Sequence, residues 1–383
     1  MTDRALISSL STLEDGPVLV QGWVDTVRDQ KKVQFVVLRD ESGAVQLVNP
    51  RAEGREAISD TISALAQGSF ISVRGQKKAD ERVKLGGLEV KVDEIVVETA
   101  ALPETPIAED TSIDKRLDWR FLDLRIPRNA LIFRIQTTFA HAFRTYWVEN
   151  GYVELFTPKL MASASESKAE LFKVDYFETS AYLAQSPQFF KQMAMSSGLG
   201  KIFEIGPVFR ADPSFTSRHA TEFTGIDAEV SWVESHEDVM QMQEQLMVAG
   251  LQAVKDAHGE EIKALFDVDI VVPSLPFPRI PLLEAREIVE ARGHKLERND
   301  LDLDPEGERQ IAAHVQETFG HEFVFLTDYP ASIRPFYHMR HEGDESLTKS
   351  YDLIWNGVEI STGAQREHRV DVLEEQAKQK GME

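Results

Sequence analysis

The sequence predicts an α+β protein of two domains, a small five-stranded β-barrel followed by a larger domain in which strands and helices mix. Three observations carry this. At 383 residues the chain is too long for one ordinary core. Residues 17 to 98 are dense in Val, Ile, Phe and Trp, in short, partly alternating runs parted by Gly, Asp and Ser. Beyond residue 112, long stretches with helical apolar spacing appear between the strand-like runs.

The N-terminal elements come in a fixed order. "PVLVQGWVDTVR", "VQFVVLRD", "AVQLVNP", "SFISVRGQKK" and "LEVKVDEIVVE" read as five strands, and "AEGREAISDTISALAQG" reads as a helix between the third and fourth. That order matches a Greek-key barrel of the oligonucleotide-binding (OB) type, although a five-stranded barrel that binds nothing would read the same way. "ETAALPETPIAEDTS" (98 to 112) is Pro-rich and acidic and reads as a linker. "LIFRIQTTFAHAFRTYWVENG" predicts a helix ending at its glycine, and "EDVMQMQEQLMVAGLQAVKDAHG" a long amphipathic helix ending the same way. "YDLIWNGVEISTGAQ" predicts two strands joined at Asn-Gly. The expected division is a barrel domain over 1–103, a linker or hinge over 104–130, and a second domain over 131–383.

Composition excludes several classes. Zero cysteines rule out disulfides, thiolate metal ligands and a cysteine nucleophile. No apolar run approaches 18 residues, so no membrane span is expected, and "MTDRALISSLSTLEDG" lacks the pattern of a signal peptide. A cytoplasmic setting fits both. The net charge of −22 argues against a nucleic-acid binder that uses its whole surface, while leaving room for a local basic face. "VRDQKK" (27 to 32) and "VRGQKKADERVK" (73 to 84) hold the N-terminal cations and read first as solvated hairpin tips.

Generic chemical motifs are missing. "GLGK" (198 to 201) fits neither a phosphate-binding loop nor a dinucleotide turn. His219, His338 and His368 lack zinc-site spacing, and no nucleophile elbow is present. What stands out is "GPVFRADPSFTSRHATEFTGIDAEVSW" (206 to 232), a strand–turn–strand stretch in which Arg210, Arg218 and His219 sit among Asp212, Glu222, Asp227 and Glu229. Ion-pair networks alone can produce such density.

Five strings in order decide between these readings: "RFLDLR" (120 to 125), "GYVELFTPKL" (151 to 160), "LAQSPQFFKQ" (183 to 192), "EIGPVFRADPSFTSRHATEFTGIDAEV" (204 to 230) and "VEISTGAQREHR" (358 to 369). Together they resemble the class IIb aminoacyl-tRNA synthetases, most closely the aspartyl family, nearly end to end. The resemblance implies a catalytic domain built on an antiparallel sheet flanked by helices, ATP and Mg2+, L-aspartate and tRNA(Asp) as partners, and a homodimer. "GYVELFTPKL", with Pro158, resembles motif 1 at the dimer interface, and "FRADPSFTSRHATEF" resembles motif 2.

By the same resemblance, Arg210 is the catalytic residue, bridging the α-carboxylate of the amino acid and the α-phosphate of ATP, a role suited to a planar fork. Arg218 and His219 lie along the outer phosphates. Asp212, Ala220 and Phe223 line the adenine side, with Phe223 stacking on the base; in isolation Phe223 would read as a core aromatic. Lys191 and Arg366 hold the aspartate side chain. Glu166 and Gln188 hold its ammonium group, with Asp227 and Glu229 facing them. Asp352, Glu359 and Thr362 match the acidic metal positions, Glu359 also serving ATP and Thr362 also serving aspartate. On the barrel, Arg28, Phe35 and Gln46 match positions that meet anticodon bases by stacking and hydrogen bonding.

The sequence departs from the family pattern in places. Thr362 stands where a serine is common, and its hydroxyl can ligate equally. Asp212 stands where a glutamate is usual, and its shorter carboxylate reaches less far toward adenine. The short span from motif 2 to "GVEISTGAQREHR" implies the compact archaeal and eukaryotic type. Asp25, after "GWV", fits neither pattern that goes with charging tRNA(Asp) alone or tRNA(Asn) as well, so both acceptors stay open. A GxGxxR motif is expected beyond "EEQAKQKGME", where the sequence stops; a truncated chain with weak ATP binding and slow activation is the expectation, with a non-catalytic tRNA- or partner-binding paralogue as the alternative. Lys191 argues against asparaginyl specificity.

Overall fold

Alternation of buried and open side chains along the first five strands closes a barrel. The computed structural model describes residues 3–102, 104–108, 110–162, 171–211, 220–297 and 301–382. The chain divides into two compact units, Met1–Ile126 and Pro127–Glu383. In the first, a 3-10 helix (Ile7–Thr12) precedes β1 (Gly16–Asp29), β2 (Val33–Asp40), β3 (Gly43–Pro50), α1 (Glu56–Ser63), β4 (Phe70–Ala79) and β5 (Leu88–Thr99). The strand order is β1-β2-β3-β5-β4, closed, with β3 and β5 parallel. In β2 the even positions from Gln34 to Asp40 face inward and the odd ones outward, as a period of two requires.

The helix between β3 and β4 is shorter than the sequence pattern suggests. Gly54 and Gly68, both at positive φ, lie in the turns that flank it. It is tied to the barrel by two fully buried amides: Gln34 donates to Ser59 O (2.9 Å) and Asn49 donates to Gln34 Oε1 (2.8 Å). The basic hairpins are not wholly solvated as expected. Lys77 is buried and donates to Leu13 O and Asp15. Part of the stretch read as a linker is helical, α2 (Ile113–Asp118) and α3 (Arg120–Asp123), because Arg116 and Arg120 both donate to the fully buried Asp123.

The second unit runs α4 (Pro127–Glu149), β6 (Val153–Glu154), β7 (Leu160–Met161), β8 (Lys173–Tyr176), β9 (Thr179–Leu183), α5 (Gln188–Met195), β10 (Lys201–Phe209), β11 (Glu222–Val230) and α6 (His236–Phe266). Then follow β12 (Arg279–Pro281), α7 (Leu282–Ala291), α8 (Pro305–Phe319), β13 (Phe323–Thr327), β14 (Arg340–His341), β15 (Asp344–Thr348), β16 (Ser350–Trp355), β17 (Val358–Ala364) and α9 (Val370–Gln379). The chemistry rests on two sheets, β11-β10-β6 and β12-β13-β16-β17. Both are antiparallel except where β6 joins β10 and β12 joins β13.

α6 starts at a capping box in which Ser235 and Asp238 bond each other's backbone. It does not stop at Gly259 as the sequence suggested but runs to Asp267 in the left-handed region. A mid-helix glycine costs about 1 kcal/mol; here it is offset because Ile262, Leu265 and Phe266 pack with Leu131 and Val254. One buried cluster lies against both sheets: Trp147 of α4 stacks on Phe203 of β10 at 4.7 Å, and Phe277 stacks on Phe323 and Phe325 of β13.

Candidate active site

The β10–β11 ladder is the floor of the site. Its register sets Phe223 opposite Val208, Gly225 opposite Gly206, Asp227 opposite Glu204 and Glu229 opposite Ile202. Residues two apart share a face, so Phe223, Gly225, Asp227 and Glu229 form one row. At ~3.4 Å per residue the row spans roughly 20 Å. Its middle is bare, because two glycines face each other there. The ladder continues one step beyond β10 through Arg210 N–H to Thr221 O (3.0 Å). Arg210 then lies 5.5 Å from the Phe223 ring, with its Nε buried and, among the described residues, without a hydrogen-bond partner. Phe223 is 38% exposed, which removes the core-aromatic alternative.

A charged cluster closes the far end of the row. α5 directs Lys191 inward, and its side chain is only 6% exposed. Lys191 Nζ lies 2.8 Å from Asp227 Oδ1 and 3.7 Å from Glu229 Oε2. Arg366, which follows β17, donates from Nε to Glu229 Oε1 and from Nη2 to Gln188 Oε1, both at 3.1 Å. Burial opposes charge on Arg366 most strongly, but Glu229, Tyr337 and Tyr351 together hold the guanidinium above its ordinary value. Tyr337 lies beneath, 5.3 Å from the guanidinium carbon. The segment around motif 1 is pinned to the same floor: buried Glu204 accepts from Thr157 N–H, Thr157 Oγ1 and Lys159 Nζ at 2.7–2.9 Å.

The β16–β17 hairpin contributes a third group. Asn356 and Gly357 turn the chain with both residues at positive φ, as a tight two-residue hairpin needs. Asp352 stands opposite Thr362, and Ile354 opposite Glu359, with a register shift between Leu353 and Ile354. In an unbroken strand, residues 359 and 362 would face opposite ways. The shift brings Glu359 and Thr362 onto the face of Asp352. Asp352 is buried, bonded through Oδ2 to Arg334 (2.5 Å), while its Oδ1 has no hydrogen-bond partner among the described residues. The surrounding protein, and next to it the charge of Asp352, raise the Glu359 carboxyl above the ordinary carboxylate range. An unpaired buried carboxylate oxygen, a hydroxyl and a carboxyl with raised proton affinity are oxygen donors of the kind a hard divalent cation takes.

On the barrel, Arg28 pairs across the ladder with Phe35, and Gln46 pairs with Val37, two residues on. All three therefore share the outer face. Arg28 is exposed, Phe35 and Gln46 are half-buried, and Gln46 donates to Glu89 (3.1 Å). Asp25 lies at the β1 irregularity, 3.7 Å from Arg39.

Sequence comparison agrees with this architecture. Residues 112–383 match the family model described as tRNA synthetases class II (D, K and N), and residues 18–98 match the OB-fold nucleic acid binding domain. The chain belongs to the class II tRNA synthetases of the aspartate, lysine and asparagine group. A relative from Aeropyrum pernix named aspartate–tRNA(Asp/Asn) ligase is 40% identical over 99% of the chain and 86% of its own length. One from Pyrococcus abyssi named aspartate–tRNA(Asp) ligase is 40% identical over 95% of the chain and 84% of its own length. The solved asparaginyl-tRNA synthetase of Pyrococcus horikoshii with asparaginyl-adenylate superposes with a TM-score of 0.89 at 31% identity, covering all of this chain and 88% of that one.

The synthetase thus brings Gln188, Lys191, Asp227, Glu229 and Arg366 into one cluster, Arg210 and Phe223 beside each other, and Asp352, Glu359 and Thr362 onto one face. Ala220 is exposed at the entry to β11. Glu166, Asp212, Arg218 and His219 lie outside the described residues. Sequence reasoning missed Arg334, which bonds Asp352, reaches Thr362 Oγ1 (3.5 Å) and lies 3.6 Å over the Tyr329 ring. It also missed Tyr337 under Arg366. Neither stands within a motif, and only the fold links them to the site. Among the described residues no helix is long and apolar enough to cross a membrane.

Proposed function

We propose that this synthetase activates L-aspartate with ATP and transfers the aspartyl group to the 3′ end of tRNA(Asp). The observation that carries this reading is Lys191, a lysine buried beside Arg366 at the end of the adenylate row. Once the substrate's ammonium group engages Asp227 and Glu229, a neutral side chain would leave Lys191 and Arg366 short of an anion, which disfavours it. The quartet of Lys191, Arg366, Asp227 and Glu229 is neutral, so a side-chain carboxylate entering it is met by the donors of Lys191 and Arg366. The amino acid's ammonium group is met by Asp227, Glu229 and Gln188.

In the first step an α-carboxylate oxygen attacks the α-phosphorus, the new O–P bond forms, and the bond to the pyrophosphate oxygen breaks. Arg210 draws the two anions together, and its unpartnered Nε is available for this. Phe223 carries the adenine, and the bare Gly225–Gly206 strip gives the ribose and α-phosphate room to lie against the strand. Asp352, Glu359 and Thr362 fit Mg2+, which when bound offsets phosphate charge and favours pyrophosphate as the leaving group. In the second step the terminal tRNA hydroxyl attacks the carbonyl carbon and AMP leaves. Arg28, Phe35 and Gln46 receive anticodon bases. tRNA(Asn) is a second candidate acceptor, because the Aeropyrum relative is named for both. Exposed Val153, Phe156 and Leu160, by motif 1, fit burial against a second copy.

Amino-acid-dependent exchange of labelled pyrophosphate into ATP tests the reading, run on the 383-residue chain and on a form extended by a GxGxxR segment. Exchange that requires aspartate in either form supports it. Exchange driven by asparagine, or none in both forms, overturns it.

A further inference from the structure

We propose that His236, Asp328 and His341 form a second metal site, distinct from the oxygen cluster at Asp352, and that it takes a borderline divalent cation such as Zn2+. One ligand atom from each of the three lies within 4.8 Å of the other two. The side chains come from three elements: His236 opens α6, Asp328 follows β13, and His341 ends β14.

The hydrogen bonding is satisfied for only two members. His341 Nε2 and Asp328 Oδ1 are 2.7 Å apart, a hydrogen bond. His236 Nε2 lies 3.9 Å from the same oxygen, beyond hydrogen-bonding distance. An ion would take Nε2, the nitrogen that faces Asp328, while Nδ1 on the other side of the ring would carry the ring proton. Two ligand atoms on a tetrahedral Zn2+ stand about 3.3 Å apart, so the gaps of 2.7 and 3.9 Å straddle that spacing. Small side-chain adjustments would seat an ion.

The surroundings favour ligation. Thr327 Oγ1 donates to Asp328 Oδ2 (2.7 Å), which fixes the carboxylate and turns Oδ1 toward the imidazoles. Asp328 adopts φ +59°, a left-handed geometry that aspartate tolerates. The start of a long helix repels a cation, but Glu237 and Asp238 in the first turn and Asp328 itself offset this. Two nitrogens and one carboxylate oxygen select Zn2+, Co2+ or Ni2+, whereas Asp352, Glu359 and Thr362 offer oxygen alone. Asp328 N–H donates to Ser350 O (3.0 Å), two residues before Asp352, so the ion would brace β13 against β16, the strand that carries Asp352.

Titration of the 383-residue chain with Zn2+ under saturating Mg2+, with Co2+ absorption as a second readout, tests this. One saturable Zn2+ per chain is expected. Loss of even an outer partner of a metal ligand costs ~10–100-fold, so His341→Ala and Asp328→Asn should each weaken binding by about 100-fold or more. His341 sits part-exposed on a hairpin and Asp328→Asn keeps the side-chain shape, so one of the two variants is expected to fold, which circular dichroism checks. Binding should survive Asp352→Asn combined with Glu359→Gln. No saturable Zn2+ binding, or binding that is lost in the carboxylate pair and unchanged in His341→Ala and Asp328→Asn, would overturn the site.

Discussion

Lys191 Nζ lies 2.8 Å from Asp227 Oδ1, with the lysine buried and the aspartate partly open to the cleft. The pair holds the lysine side chain at the edge of the cleft, where the proposed reading places the substrate carboxylate. Lys191→Ala changes the quartet from neutral to net −1, so it both removes a donor and repels the substrate. Aspartate affinity should fall by about 2–5 kcal/mol, roughly 30- to 4,000-fold, with ATP affinity spared. Unchanged aspartate binding would remove Lys191 from the recognition role.

Gly225 leaves the row between Phe223 and Asp227 bare, and a Cβ there would lie 3.0 Å from Asp227 Oδ2. Valine suits a strand, so Gly225→Val should fold and hold its thermal midpoint near wild type. It should nonetheless lower aspartate-dependent exchange by about 100-fold, since a displacement near 1 Å at the reacting groups costs that much. Full activity in a folded variant would show that the strip is not where the adenylate lies.

Burial, then Arg366 and Arg334 nearby, hold His338 well below the usual histidine value, so it is neutral in the fold. The unfolded chain binds a proton at this residue below about 6.5 and the folded chain does not. Stability should therefore be present above pH 6.5 and decline as pH falls through it, before carboxylates titrate. Denaturant midpoints for wild type and His338→Phe between pH 5 and 7.5 check this; the variant should have the flatter profile. Equal slopes would assign the acid limb to other groups.

Phe35 shares the outer barrel face with Arg28 and Gln46, so Phe35→Ala should weaken tRNA binding by about 1–3 kcal/mol, the contribution of one stacked base. Pyrophosphate exchange without tRNA should not change. A gel-shift titration beside the exchange assay separates the two.

Much of this was legible in the sequence because it depends on short-range pattern. Alternation in "VQFVVLRD" puts Phe35 outward, the Asn-Gly pair sets the β16–β17 turn, and the motif strings single out Arg210, Lys191 and Arg366 as candidates. What was not legible depends on register or on distant partners. The bulge that brings Glu359 to the side of Thr362 is invisible until β17 is paired with β16. Lys77 reads as a hairpin cation until Asp15 and Leu13 O meet it. α6 passes Gly259 because its last turn packs on α4, which helix propensity does not record. His236, Asp328 and His341 are spread over more than 100 residues, so spacing rules could not assemble them.

The central claim is that the cluster around Lys191 selects an anionic side chain. Its most direct test is calorimetric titration of the protein with two non-hydrolysable adenylate analogues that differ only in carrying an aspartyl or an asparaginyl group. The aspartyl analogue should bind tighter by about 30-fold or more, and Lys191→Ala should erase most of that preference. Equal affinities, or a preference for the asparaginyl analogue, would contradict the account.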